Sequence, residues 1–160
     1  MDKIIVNRSV INSEEVIDIL APLYRDISHE SKSTYTITKN CFTKEQQLMY
    51  AVDCYQAEVY NGGHDQFFYN SIGIVWKDTL EALKELGDPT TLSIFLEALS
   101  LFGSETPSLI EEERHSQLEE LERKNADFEE LDDRFYEDAR LDEKIIKYIK
   151  KNSHSFYFEG

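Results

Sequence analysis

An all-α, single-domain compact multi-helix bundle with an ambiguous N-terminal segment is the fold that three observations predict. From Thr43 onward apolar residues recur at helical spacing, and glycines and prolines fall where helices stop and restart. The one stretch that alternates like a strand is short and has nothing to pair with. The chain's 160 residues fit one domain with its own core, without disulfide or metal staples. A content of 41% hydrophobic and 12% aromatic residues separates it from disordered acidic tails, despite a net charge of −15.

The elements follow in order. Ser13 is placed to cap a helix through Val16, Ile17, Leu20 and Leu23, and a polar stretch follows. Thr34 to Thr38 alternates in the manner of a strand and reads as loop or edge structure. Thr43 and Gln46 have capping-box spacing, and Leu48, Tyr50, Ala51, Val52, Tyr55 and Val59 carry an apolar face toward Asn61-Gly62-Gly63, where the helix is expected to end. Phe67, Phe68 and Tyr69 follow on a short aromatic helical segment.

A helix over Ile74 to Leu86 stops at Gly87, and Asp88-Pro89 restarts the next, because proline at a first helical position loses no hydrogen bond. Leu92, Phe95, Leu96, Leu99 and Phe102 keep core spacing up to Gly103. Thr106-Pro107 repeats the device for a helix to about Lys124, and a last helical stretch runs from Asp127 to Lys151 with a break near Asp138 to Leu141. The domain thus divides into an N-terminal helix-and-loop extension, residues 1–42, packed on a helical core, residues 43–151, with a C-terminal tail, residues 152–160.

No apolar run approaches the roughly 20 residues that cross a membrane, and Met1 to Ile11 lacks a signal-peptide pattern, so a cytoplasmic protein is expected. Cys41 and Cys54 have no Cys-x-x-Cys pattern and read as reduced, packed thiols.

Charge is concentrated. Glu105 to Glu143 holds sixteen Asp and Glu against five Lys and Arg, a net −11. With no basic stripe, direct nucleic-acid binding and anionic membranes are excluded as partners, and a cationic macromolecule is favoured. On a helical wheel Ile110, Leu118 and Leu121 share one apolar sector. Glu111 with Glu122, Glu112 with Glu119, and Glu113 with Glu120 line up elsewhere, in rows spaced about 10 to 17 Å at roughly 1.5 Å rise per residue. Such rows approximate local phosphate positions, although any soluble helix carries charge opposite its apolar stripe, and Glu119–Arg123 and Glu120–Lys124 are ordinary helix pairs. The density continues through Asp127, Glu129, Glu130, Asp132, Asp133, Glu137 and Asp138 with too few bases to balance it.

Enzymatic patterns are thin. Glu112-x-x-His115 is half of a helical di-metal motif, its nearest echo being Asp26-x-x-His29, and His64 beside Asp65 has no accompanying nucleophile or ligand set. No catalytic, cofactor-binding or metal-ligating residue is assigned. Lys144, Lys147, Lys150 and Lys151 either serve the helix C-terminus or meet the acidic face of a second copy, which makes a homodimer a candidate assembly.

The run Asn61-Gly62-Gly63-His64-Asp65-Gln66-Phe67-Phe68-Tyr69-Asn70-Ser71 resembles the signature of the DNA-mimic protein domain family. Leu131-Asp132-Asp133-Arg134-Phe135-Tyr136, the Gly87 region and the Glu45 to Glu58 helix fit it in similar order, so the resemblance spans about residues 43 to 150. His64 stands where the family usually has an aromatic residue. The resemblance implies a small, acidic, predominantly helical protein, of a kind mostly uncharacterised, that presents carboxylates as a DNA surrogate. It would keep a DNA-binding protein, such as a transcription regulator, off its site.

From the residues themselves, Asn61, Gly62, Gly63, Gln66, Phe67, Phe68 and Asn70 read as a structural turn with aromatic packing. The acids named from Glu111 to Asp138 are the candidate partner-binding residues. The leading expectation is a non-enzymatic DNA mimic binding a basic DNA-binding protein. An immunity-type protein that neutralises a basic toxin such as a nuclease is the alternative, and a metal-binding protein or enzyme ranks last.

Overall fold

The computed structural model describes residues 3–160 and is all-α, with eleven α-helices, one 3-10 segment and two very short strands among the described residues. Strand β1 (Ile5–Val6) precedes helices α1 (Arg8–Asn12), α2 (Val16–Ile19), α3 (Ala21–Asp26) and α4 (Lys32–Lys39). The long α5 (Lys44–Tyr69) leads through a 3-10 turn (Ser71–Val75) to α6 (Trp76–Leu86) and α7 (Pro89–Ser100). The chain closes with α8 (Glu111–Arg123), α9 (Glu129–Asp138), α10 (Leu141–Lys151), α11 (Ser153–Phe156) and β2 (Phe158–Glu159). The strands pair antiparallel, Ile5 opposite Glu159 and Val6 opposite Phe158, so the two ends of the chain are joined.

Helix α5 is the axis of the bundle. Thr43 and Gln46 form the anticipated capping box, each side chain serving the other residue's backbone N–H. Met49, Ala51, Val52, Tyr55, Val59, Phe67 and Phe68 are completely enclosed, with α3, α6, α8, α9, α10 and α11 packed around them. Gly87 ends α6 in the left-handed conformation, φ +64°, and Asp88 accepts the Thr91 N–H to cap α7 with Pro89 at its first position.

At Asn61-Gly62-Gly63 the first helical run ends as expected: Gly62 (φ −158°) and Gly63 (φ +77°) are non-helical, and a second run follows across this kink to Tyr69. Three expectations are corrected. Thr34 to Thr38 is helical. Ser31 and Thr34 form a capping box, and the Thr36 and Thr38 hydroxyls donate to the Lys32 and Thr34 carbonyls, so the threonine alternation follows a helix that buries Tyr35. Ser13 ends a helix instead of starting one, since Asn7 caps α1 and the Ser13 hydroxyl donates to the Val10 carbonyl. Pro22 then opens α3, and Ile17 is left 57% exposed.

The segment after Pro107 stays extended for one more turn. Trp76 Nε1 donates to the Pro107 carbonyl at 2.9 Å and the Ser108 N–H to Gln117 Oε1 at 2.7 Å, so α8 starts only at Glu111. Ile110 therefore falls outside the apolar stripe and is exposed. Of the two thiols, Cys54 is packed and Cys41 is exposed. No helix among the described residues is long and apolar enough to cross a membrane.

Candidate protein-interaction surface

The bend in α5 is built by its two glycines. Gly63 has φ +77°, a left-handed conformation that favours glycine, and a Cβ there would overlap the Asp132 carboxylate. Asp132 comes this close because it accepts two hydrogen bonds from the next residue. The His64 backbone N–H lies 2.9 Å and Nδ1 2.6 Å from Oδ1. A carboxylate only accepts, so Nδ1 carries a proton. Burial and Asp132 push the Tyr55 hydroxyl well above its usual range, and it donates to His64 Nε2 at 2.6 Å. His64 is completely enclosed and both ring nitrogens are engaged.

The remaining signature residues serve the same bend. Gln66 Nε2 and Asn70 Nδ2 each donate to Glu58 Oε2 at 2.9 Å, tying the second part of α5 to the first. Phe67 and Phe68 are buried and pack edge-on against each other. Asn61 is exposed beside the glycines.

Arg114 fixes the end of α5 to α8. Only 1% exposed, it donates from Nε to the Phe68 carbonyl (2.5 Å), from Nη2 to that of Asn70 (2.8 Å) and from Nη1 to that of Ser108 (2.9 Å). Burial works against its charge and nearby Glu111 favours it. The sequence carried a signal for this residue, because Arg114 shares the wheel sector of Leu118 and Leu121.

These ties open a cleft between the second part of α5, one face of α8, the α8–α9 loop and the start of α9, with a volume of about 610 Å³. Its lining includes the carboxylates of Asp65, Glu119, Glu122, Asp127, Glu129 and Asp132 and no lysine or arginine. Asp65 has its carboxyl raised above the usual carboxylate range, first by partial burial and then by Asp132 and Glu122.

The geometry places the thirteen acids singled out by sequence as follows. Glu119, Glu122, Asp127, Glu129 and Asp132 meet in the cleft. Glu111, Glu112, Glu113, Glu120, Glu130, Asp133, Glu137 and Asp138 are exposed outside it. Asp132 alone of the thirteen is partly buried, spent on His64. Glu119 and Glu120 face Arg123, and Glu120 also faces Lys124. Asp65, Tyr69 and His115 belong to the cleft and were not read as part of an interaction surface. His115 Nε2 donates to the Tyr69 carbonyl at 2.5 Å, which accounts for the lone Glu-x-x-His pattern without a ligand.

A family model described as DMP19-like protein matches residues 40–152, well over half of the chain and nearly the span of the signature and its flanking helices. The chain belongs to the DMP19-like family. No curated protein and no solved structure matches it. At the family level this agrees with the resemblance to DNA-mimic proteins.

The raised carboxyl of Asp65 carries a prediction for this DMP19-like chain. A raised folded-state value means that the folded protein holds the proton more tightly than the unfolded chain. The group therefore costs stability as pH rises through its folded value, and the cost is complete at neutral pH. Asp65→Asn is expected to raise Tm at pH 7 by about 1–2 °C at low salt, an increment that shrinks as salt screens the cleft and vanishes near pH 3. A lowered Tm at pH 7 in calorimetry contradicts the repulsion.

Proposed function

We propose that the chain is a non-enzymatic DNA mimic, which binds a basic DNA-binding protein, such as a transcription regulator, and competes with DNA for it. One observation carries this reading: six carboxylates converge on a cleft without a lysine or arginine, on a member of the DMP19-like family. Unpaired like charge opposes compaction, and the repulsion felt by Asp65 is of a kind that a cationic partner relieves. Among the described residues Glu112, Glu122, Asp127, Glu129, Glu130, Asp133, Glu137 and Asp138 form no ion pair, which leaves them free to accept from the partner's Lys and Arg.

The test is capture from lysate at low salt, release by duplex DNA, and titration of the purified captured protein. DNA and this chain are expected to exclude each other. Reversing Glu119, Glu122, Asp127 and Glu129 to lysine is expected to weaken binding on the order of 100-fold or more, with far-ultraviolet circular dichroism unchanged. A partner that holds DNA and this protein together, or a basic toxin that DNA cannot displace, refutes mimicry.

A further inference from the structure

The cleft is more than an acidic surface. Its inner wall is apolar, built by Leu118, Leu121, Ala126 and Phe128. Its lip is an aromatic shelf, with the His115 ring stacked on Tyr69 at 4.1 Å between centroids and 8° between planes. The hydrogen bond from His115 Nε2 to the Tyr69 carbonyl fixes the shelf, while Tyr69 stays 54% exposed.

A flat track of carboxylates imitating phosphates needs neither apolar walls nor stacked rings. Those features select among cations. A lysine ammonium is a compact, strongly hydrated point charge, whereas a guanidinium is planar, weakly hydrated, stacks on rings and forks onto carboxylates. The aliphatic stem of such a side chain covers apolar surface on the way in. The volume lies within the range of about 300–1,000 Å³ typical of clefts that enclose a ligand, so a side chain enters instead of touching with its tip.

We propose that this cleft receives an arginine side chain of the partner. Its guanidinium stacks on the Tyr69–His115 shelf, Asp65 and Glu122 meet its charge, and its stem lies along Leu118, Leu121 and Phe128. The cleft then stands in for a groove of DNA as well as for its phosphates, since narrow, strongly negative minor grooves are where DNA-binding proteins insert arginine. The inference rests on the reading of the chain as a ligand of a basic DNA-binding protein and specifies which side chain it recognises.

Fluorescence anisotropy on the intact protein at low salt tests it with two labelled peptides of equal length and charge. One carries arginines and the other lysines in the same glycine–serine frame. The arginine peptide is expected to bind about fivefold tighter. Tyr69→Ala, and Tyr69→Leu, which keeps bulk without a ring, bring the ratio to near one. Glu85→Gln, exposed on α6 and outside the cleft, leaves it unchanged.

Equal affinities in the unmodified protein, a preference that survives both Tyr69 variants, or no binding of either peptide overturns the arginine slot. These outcomes are separable from DNA competition. A captured partner that DNA fails to displace refutes mimicry whatever the peptide ratio, and a ratio of one refutes the slot even where DNA displaces the partner.

Discussion

Arg114→Met is expected to lower the unfolding free energy by about 3–5 kcal/mol, read as a reduced urea midpoint with an unchanged slope. The guanidinium is the common donor to three carbonyls, two at the end of α5 and one in the loop before α8. Methionine fills much of the same volume, so the loss reflects carbonyls left without donors in a dry site and not a cavity. Lysine does not rescue it, because one ammonium cannot reproduce the fork that spans the Phe68, Asn70 and Ser108 carbonyls. The space is also closed on the other side: a Cβ at Gly73 would sit 2.7 Å from Arg114 Nε and 2.8 Å from the Phe67 carbonyl. A loss below about 1 kcal/mol would mean that water reaches these carbonyls once the side chain is gone.

Arg114 also marks the boundary of what a sequence discloses. Local signals were legible where the partners are near in sequence. Thr43 with Gln46, Asp88 before Pro89, Gly87 after α6 and the interruption between Asp138 and Leu141 all sit where their chemistry puts them. The threonine-rich α4 was misread because its alternation satisfies a strand pattern, while the capping box and the back-bonded hydroxyls that favour a helix are equally local but weaker signals. The acids of α8 and α9 were legible as charge, but their convergence with Asp65 needs the bend of α5 and the docking of α8 on it. A wheel that reads an arginine in an apolar sector as an interruption cannot see that the carbonyls of a distant helix end wait there.

Asp132 is where charge and architecture separate. It stood among the acids assigned to partner binding, yet its carboxylate accepts from the backbone and the ring of His64, sixty-eight residues away in sequence. Asp132→Ala is expected to cost about 2–4 kcal/mol, since two donors lose a charged acceptor beside the fully enclosed His64–Tyr55 pair. Glu129→Ala removes the same unit of charge from the same cleft but is exposed, and a change within about 0.5 kcal/mol is expected.

On the proposed function both variants are expected to weaken binding of a cationic partner, so affinity alone cannot distinguish them, whereas thermal unfolding does. Asp132→Asn keeps the single oxygen that accepts from both His64 donors and loses the charge, which places its loss between that of the unchanged protein and that of Asp132→Ala. A double-mutant cycle pairing Asp132→Ala with His64→Phe isolates the ring's share of the coupling, expected near 1–2 kcal/mol. Equal unfolding temperatures for Asp132→Ala and Glu129→Ala would return Asp132 to the surface. A selective loss makes it the residue that shapes the cleft whose outer carboxylates are proposed to meet the partner.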